Sequence, residues 1–283
     1  MVSGTIAKGQ ASKFDLTQLT HLNIFFNGPG PNGKFKHIPH LDSVVTAAHK
    51  NNVKVIATIG NGVSLLLITK ANRAAFIDSL VSSAVELQID GIDVDLEGDH
   101  IDSNYEGFVG ELSAALKSKG KLTTAAIATW ESVQLSDKAL ACFDFLNVMT
   151  YDNTGPWNLK EPGPHSPFSM AVADLDFWTN NRHIIKNKLN LGLPFYGYSF
   201  GPDTPREFHY RQIVDKYPGA ELTDQVNGTP GNIVYYNGIA TIKKKTEFAL
   251  QNAGGVMIWE LSEDAVDDRS LLKAVNSAIK AAK

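Results

Sequence analysis

Four acidic residues stand within eight positions of one apolar stretch, and they are the first candidates for chemistry in this chain. They are Asp90, Asp93, Asp95 and Glu97, separated mainly by isoleucine, valine and leucine. Because alternate residues of a β-strand share a face, Asp93, Asp95 and Glu97 are predicted to point to one side of a strand. Carboxyl groups crowded in a low-dielectric environment raise each other's pKa, so at least one of them is expected to stay protonated near neutral pH. Such a group can serve as a general acid.

The acidic run admits two other interpretations, both weaker. Acidic clusters at strand ends also bind Mg²⁺ or Ca²⁺, but the glycine and the spacing here are not those of an EF-hand loop. A purely structural role is disfavoured because buried carboxylates without partners are costly. The single cysteine, Cys142, excludes an internal disulfide and a cysteine-based zinc site. We therefore predict no metal site and no cofactor.

The elements that would carry this run alternate between strand and helix. Seven apolar runs are predicted as strands: 22–26, 54–59, 91–96, 122–128, 145–151, 189–195 and 255–259. The stretches 73–87 and 105–116 have apolar residues at helical spacing, and a last helix is expected to begin near Asp268. This alternation predicts a parallel α/β sheet closed into a TIM barrel. Glu97 would then lie at the carboxyl end of strand four, the face on which barrel enzymes build their sites.

The pattern departs from a regular barrel at two places. A strand is missing before Leu22, and it is expected either as a stub over 2–6 or upstream of Met1; we favour a truncated or barely retained first strand. The segment 200–233, rich in proline and glycine, is predicted to be an irregular insertion after strand seven. No internal repeat is visible, so residues 1–283 are predicted to form a single barrel domain, a length that suits this fold.

Composition narrows the class of partner. The formal net charge is −4, and neither nucleic acid nor an anionic membrane surface is an expected partner, because both require a basic surface. No apolar run is long enough to predict a membrane span. The first residues lack the basic and apolar pattern of a signal peptide. The sequence does not predict an oligomeric state.

The acidic run resembles the D-x-x-D-x-D-x-E signature of glycoside hydrolase family 18, the chitinases and their relatives, which ends barrel strand four. Three further runs are similar to motifs of that family. Met149-Thr150-Tyr151-Asp152 resembles the M-x-Y-D of strand six, and 191–197 resembles the G-x-P-F-Y-G of strand seven. The run 254–259 resembles the last strand, which ends in a tryptophan. The resemblance covers about residues 19–283.

The resemblance implies a substrate-assisted, retaining glycosidase, an exception to the usual pair of protein carboxylates. Glu97 would protonate the leaving glycosidic oxygen. Asp95 would orient the substrate's 2-acetamido group, whose oxygen attacks the anomeric carbon. Asp93 would share a proton with Asp95, and Tyr151 would hydrogen-bond the acetamido oxygen. Alternation along strand six agrees with this, because Tyr151 shares a face with Asn147 and is predicted to reach the lumen that Asp95 faces.

Other residues of the matching motifs are expected to contact the sugar. They are Trp259, Met149, Asp152 and Tyr196. Trp259 would form the floor of the site, since an aromatic face suits the apolar face of a pyranose. Trp130 and Trp157 follow predicted strand ends and are candidates for further subsites, with ordinary packing as the alternative.

The sequence also departs from the family pattern. Strand three ends in Thr58-Ile59-Gly60-Asn61, where the family usually has S-x-G-G, so Asn61 replaces a glycine. Tyr198 stands where many members have arginine. Members with deep tunnels have a large insertion after strand seven, whereas only about 200–233 is available here. A shallower groove and endo-type or short-oligomer cleavage are therefore predicted.

The predicted function is hydrolysis of β-1,4 linkages between N-acetylglucosamine residues, in chitin or chitooligosaccharides. One alternative is an endo-β-N-acetylglucosaminidase acting on N-glycans, although the run from Met149 to Asp152 is more similar to the chitinase branch. Another is a non-catalytic chitin-binding lectin, which the intact Glu97 disfavours. A polymeric substrate predicts a secreted, periplasmic or cell-surface protein whose targeting segment is absent from this chain.

Overall fold

The structure is a computed structural model that describes residues 1–7, 15–30, 34–35, 37–202, 207–228 and 231–282. The chain packs as two compact units, which are essentially Ser3–Asn147 and Val148–Lys283. Each unit has its own buried apolar residues. None of the helices in the described ranges is both long enough and apolar enough to cross a membrane.

The strands of a parallel barrel dominate the fold. In the described residues the strands are β1 Val2–Ala7, β2 His21–Asn27, β3 Lys54–Ile59, β4 Gly91–Val94, β5 Leu122–Ile127, β6 Phe145–Val148, β7 Leu189–Pro194, β8 Tyr196–Phe200, β9 Glu207–His209, β10 Gln225–Asn227, β11 Ile233–Tyr235 and β12 Gly255–Trp259. Eight of them close a barrel in the order β1-β12-β7-β6-β5-β4-β3-β2. The predicted (β/α)₈ TIM barrel is confirmed.

Helices follow most of the barrel strands. They are α1 Leu41–Lys50, α2 Leu65–Ile68, α3 Arg73–Glu86, α4 Tyr105–Lys117, α5 Asp137–Ala141, α6 Phe168–Asp176, α7 Tyr210–Lys216, α8 Ile239–Asn252 and α9 Leu271–Ala281. In the first unit, α3 and α4 pack through stacked Phe76 and Phe108, whose ring centroids are 5.6 Å apart. Each such buried aromatic side chain stabilises the fold by about 1.5–3 kcal/mol.

The last helix begins two residues later than the sequence suggested. Asp268 was the expected N-cap, but Ser270 takes that position and its Oγ accepts from Lys273 N at 3.2 Å. Asp268 instead forms an exposed ion pair with the Lys273 ammonium group. Both residue types favour N-caps, so only the local hydrogen bond distinguishes them.

The first strand lies at Val2–Ala7, which agrees with the alternative that placed it in this chain. It has six residues, as many as β3, so it is not a stub. It pairs in parallel with β2, and Ser3 Oγ donates to Asn23 Oδ1 at 3.2 Å between the two strands. The polar composition of this strand concealed it, because Ser3 and Thr5 are buried polar residues.

Strand six is shorter than predicted and ends at Val148. Beyond it the Thr150 N–H bonds to Val148 O at 2.9 Å, and Thr150 Oγ1 donates to Gly192 O at 2.7 Å. Ser166 Oγ donates to Thr150 O at 2.6 Å. Side-chain hydroxyls therefore replace the strand ladder just before Tyr151, and strand alternation does not set the direction of that side chain.

The insertion is ordered where it is described, which corrects the prediction of an irregular segment over 200–233. Strands β8, β9, β10 and β11 form an antiparallel sheet in the order β10-β11-β8-β9, and α7 follows β9. Gly197 permits the close pairing of β8 and β11, since a Cβ there would lie 2.4 Å from Tyr235 O. Residues 203–206 and 229–230 of the predicted segment lie outside the described residues.

Candidate active site

Asp93 is the innermost carboxyl group of the acidic row. Parallel register places it opposite Thr58 of β3 and Thr124 of β5. Its Oδ1 accepts from Thr124 Oγ1 at 2.5 Å and from Asn147 Nδ2 at 3.4 Å. Burial raises the pKa of Asp93 to about 6, although the hydrogen bonds from these neighbours oppose the shift. Asp93 can thus hold a proton in mildly acidic solution.

Asp95 follows β4 and is also buried. Its N–H continues the ladder to Ile59 O at 2.8 Å. Burial, together with the charges of Glu97, Asp93 and Glu131, raises the pKa of Asp95 well above its ordinary value. Among the described residues its Oδ1 has no hydrogen-bond partner. The carboxyl groups are thus close enough to influence one another, and the pair with Asp93 is suited to sharing protons.

Glu97 lies just past the strand and is half-buried. Its backbone N–H donates to Asn61 Oδ1 at 2.8 Å. The next N–H, that of Gly98, donates to Glu131 Oε1 at 2.7 Å. Gly98 has φ +58°, a conformation that glycine adopts without strain. Glu97 therefore lies in a turn after β4, and the side chains of Asn61 and Glu131 bind the backbone of this turn.

Glu131 is the residue that sequence reasoning missed in this unit. It ends a short 3₁₀ turn after β5, is 1% exposed, and has a raised pKa because of its burial. The adjacent Trp130 is 66% exposed. A glutamate next to a tryptophan after a strand is the only sequence signal, and it is weak; the contact with Gly98 spans 33 positions and needs the fold.

The second unit assembles the aromatic part of the predicted site. Tyr151, Tyr196, Tyr198, Phe200 and Met257 form one buried cluster, with Met149, Tyr235 and Trp259 packed against it. The rings of Tyr151 and Tyr196 meet edge to face, with centroids 6.1 Å apart. Trp259 ends β12 and is only partly buried, so part of its ring area remains accessible. Trp157 contacts Tyr198 edge to face and is 62% exposed.

Asp152 is tied to this cluster by its side chain. Its Oδ1 accepts from Tyr196 Oη at 2.5 Å and lies 3.4 Å from Nδ1 of the buried His165. Burial lowers the pKa of His165, which Asp152 only partly opposes. His165 was not predicted, since a lone histidine in a loop carries no signal of this contact. The Tyr198 hydroxyl group also hydrogen-bonds the Asp152 carboxyl group, so aromatic residues of the cluster fix the position of Asp152.

The structure thus brings the predicted residues into two groups. Asp93, Asp95 and Glu97 lie together in the first unit, and all five predicted residues of the second unit belong to or contact the aromatic cluster. Among the described residues, no group of three or more histidine, cysteine, aspartate or glutamate side chains is arranged to hold a metal ion. The roles of the individual residues stay predictions.

A parallel α/β barrel with a row of carboxyl groups along and just past one strand is an architecture that glycosidases use. The comparisons with known proteins agree with this class. Residues 4–264 match the glycosyl hydrolases family 18. The chain belongs to this family and is a glycoside hydrolase.

Solved structures of similar proteins are chitinases. The family 18 chitinase ChiB, from the chitin utilization locus of Flavobacterium johnsoniae, is 34% identical with a TM-score of 0.92, and the match covers 100% of this chain and 94% of that one. A chitinase from Bacteroides thetaiotaomicron is 28% identical with a TM-score of 0.83, covering 98% and 96%.

Curated relatives differ more in length. The uncharacterized glycosylase YvbX of Bacillus subtilis is 24% identical, over 83% of this chain and 78% of its own length. The probable chitinase 10 of Drosophila melanogaster is 26% identical over 73% of this chain, which spans only 12% of that protein. The family barrel therefore also occurs as a small part of a much longer protein.

Proposed function

We propose that this glycoside hydrolase cleaves β-1,4 linkages in chains of N-acetylglucosamine, with Glu97 as the catalytic acid. The observation that carries the proposal is the acidic row itself. Burial raises the pKa values of Asp93 and Asp95 and so favours their protonated forms, while Glu97 stands half-buried at the end of the row. A row that retains protons is what general-acid cleavage of a glycosidic bond requires.

In the first step, Glu97 donates its proton to the glycosidic oxygen as the bond to the anomeric carbon breaks. The acetamido oxygen of the same sugar attacks that carbon and forms an oxazolinium ion. Asp95 accepts the acetamido N–H and offsets the developing positive charge, and Tyr151 donates to the acetamido oxygen. Because the nucleophile belongs to the bound substrate, its effective concentration is very high.

In the second step, Glu97 takes a proton from water, which attacks the anomeric carbon and opens the oxazolinium ring. Two displacements at one carbon return the original configuration. Asp93 takes part by binding a proton while Asp95 is ionised, so that Asp95 can accept the acetamido N–H. The burial that raises the pKa of Asp93 to about 6, and the mutual influence of the charges of Asp93 and Asp95, support this exchange.

The residues of the second unit bind the sugar in this proposal. Trp259 stacks on the apolar face of a pyranose, and Met149 contacts the same sugar. Asp152 and Tyr196 contact polar groups of that sugar. Their shared aromatic cluster supports this assignment, because the side chains are packed and therefore preorganised.

The similar structures favour chitin as the glycan. The protein that is 34% identical comes from a chitin utilization locus, and chitinases of Cycas revoluta and Nicotiana tobaccum with the same fold were solved with oligomers of this sugar. An insoluble polymer cannot enter a cell, so we also propose a secreted, periplasmic or cell-surface location. Comparison of activity in fractionated cells of the source organism tests the location.

The decisive experiment compares chitin oligosaccharides with a high-mannose glycopeptide as substrates for the same preparation. Reducing sugar should be released from the chitin oligomers, and Glu97→Gln should abolish release while oligomer binding is retained. The exposed Glu86→Gln in α3 serves as the matched control. Cleavage of the glycopeptide alone would identify an endo-β-N-acetylglucosaminidase, and binding without turnover by the unmutated chain would identify a lectin.

A further inference from the structure

The turn that carries Glu97 is held by side chains from two other strand ends. Its two successive N–H groups, those of Glu97 and Gly98, have no strand partner, because the ladder on this strand stops at the bond from Asp95 N to Ile59 O. Asn61, after β3, accepts the first at 2.8 Å, and Glu131, after β5, accepts the second at 2.7 Å. The peptides on both sides of the Glu97 Cα are thus fixed.

We propose that Asn61 and Glu131 are positioning residues that hold the Glu97 carboxyl group at the place where it delivers its proton. This inference rests on the proposed role of Glu97. Side-chain placement follows backbone placement closely, and a shift of about 1 Å in a catalytic group can reduce a rate by about 100-fold. We call Asn61 and Glu131, with their bonds to the N–H groups of Glu97 and Gly98, the clamp. By fixing these two peptides, the clamp keeps the Glu97 carboxyl group in place and so maintains kcat.

The burial of Glu131 supports a functional role. The side chain is 1% exposed, and among the described residues its Oε2 has no hydrogen-bond partner. Burying a carboxyl group that is only half satisfied is unfavourable for folding. The N–H groups of Gly98 and Ala128 partly offset the effect of burial on its pKa. The arrangement is unfavourable for stability alone, and it is explained if the bond to Gly98 serves the reaction.

The two acceptors differ in expected strength. Glu131 makes its bond in a part-buried position, where a hydrogen bond to a charged group is strong. Asn61 makes its bond at the surface, where water competes. Asn61 also replaces a glycine of the family motif, and glycine has no side chain that could accept this bond. Loss of Glu131 should therefore have the larger effect.

The test is steady-state kinetics on a soluble chitin oligomer with matched variants. Glu131→Ala removes the acceptor, and kcat should fall by about 10- to 100-fold with little change in KM. Glu131→Gln keeps an oxygen for the Gly98 N–H and should restore kcat to within a few-fold of the unmutated enzyme. Asn61→Gly should lower kcat by a smaller factor. The exposed Glu86→Ala in α3 is the control.

A pH profile separates the effect of the Glu131 charge from the effect of its bond to Gly98, because Glu131→Gln removes the charge and keeps the acceptor oxygen. The charge of Glu131 is among the charges that raise the pKa of Asp95. Its removal in Glu131→Gln should lower that pKa and move the pH profile of kcat to lower pH, while kcat at the optimum stays within a few-fold of the unmutated value. The positioning role is judged from kcat against KM in Glu131→Ala, where a merely structural glutamate would leave the kcat of the folded enzyme unchanged.

The outcomes distinguish this inference from the proposed function. If the unmutated enzyme cleaves the oligomer but Glu131→Ala and Asn61→Gly keep full kcat, the clamp is refuted and the function stands. A rise in KM at constant kcat would also refute it. If Glu131→Ala does not fold, kcat and KM of Asn61→Gly decide. If the unmutated chain and Glu97→Gln are equally inactive, the function fails and the clamp with it.

Discussion

At the scale of single residues, the buried acidic row makes stability depend on pH. Burial raises the pKa of Asp93 from an ordinary value of 3.8 to about 6. Between these values the folded chain holds a proton that the unfolded chain has released. By linkage, the free energy of unfolding then decreases as pH rises through this window, by roughly 3 kcal/mol over about two pKa units.

We therefore expect Asp93→Asn to be more stable than the unmutated protein above pH 6, by up to about 3 kcal/mol, and to lose this advantage near pH 4. Asparagine keeps an oxygen that Thr124 can reach but does not ionise. Activity should fall, because the proposed proton sharing with Asp95 is lost. Urea unfolding at pH 4 and pH 7.5 measures the difference, with the exposed Asp78→Asn as control. An equal gain at both pH values would contradict the explanation.

A second residue-scale prediction concerns Asp152. Tyr196→Phe removes the hydroxyl group that holds one Asp152 oxygen at 2.5 Å. Loss of a hydrogen bond of about 1 kcal/mol should raise KM by about 5-fold and change kcat less, since Asp152 is proposed to bind the sugar. Kinetics on a chitin oligomer measure this, with Tyr217→Phe, in the insertion, as control. An unchanged KM with reduced kcat would move Tyr196 from sugar binding to the chemical step.

At the scale of elements, the end of β6 depends on a close approach to β7. A Cβ at Gly192 would lie 2.5 Å from Val148 O and 2.9 Å from Tyr151 Cε1. Gly192→Ala should therefore destabilise the protein by about 3 kcal/mol or displace Tyr151. Thermal unfolding and kinetics detect the two outcomes.

The matched control is Gly163→Ala, where the atom nearest to an added Cβ, Thr154 Cγ2, is 4.0 Å away. Its melting temperature should stay within about a degree of the unmutated value, because surface changes of this kind have small effects. An equal loss of stability in both variants would contradict the explanation, because only the Cβ at Gly192 meets close neighbours.

Elements were predictable from the sequence where one physical rule acts alone. The apolar runs predicted both ends of β3 and of β12 correctly, because burial of apolar side chains determines where these strands form. The rule failed where polar groups decide. Hydroxyl hydrogen bonds end β6 three residues early, and buried Ser3 and Thr5 concealed β1.

The candidate site was predictable in the same uneven way. The acidic row follows from strand alternation. The contacts of Asn61 and Glu131 with the turn after Glu97 join residues 36 and 33 positions apart, so they require the fold. The short sheet of the insertion was missed because its proline and glycine residues indicate turns but not how the short strands between them pair.

At the scale of the whole molecule, the size of the insertion bears on the mode of cleavage. The sheet formed by β8, β9, β10 and β11 lies within residues 196–235, far smaller than the insertion expected of tunnel-forming relatives. Long chitin oligomers should therefore be cut at internal bonds, giving a mixture of lengths early in the reaction. Chromatography of early products from a long oligomer tests this. Release of only disaccharides from one chain end would contradict the prediction.

The four tryptophans of the chain occupy contrasting environments. The rings of Trp130 and Trp157 are mostly exposed, while Trp178 is fully enclosed. An indole in water emits at longer wavelength than an enclosed one and is open to collision with iodide. The intrinsic fluorescence therefore has a solvent-sensitive part, from Trp130 and Trp157, and a part from Trp178 that serves as an internal reference. A glycan lying over either outer ring would shield it from the quencher, so occupancy could be followed without a label, even in a variant unable to turn over.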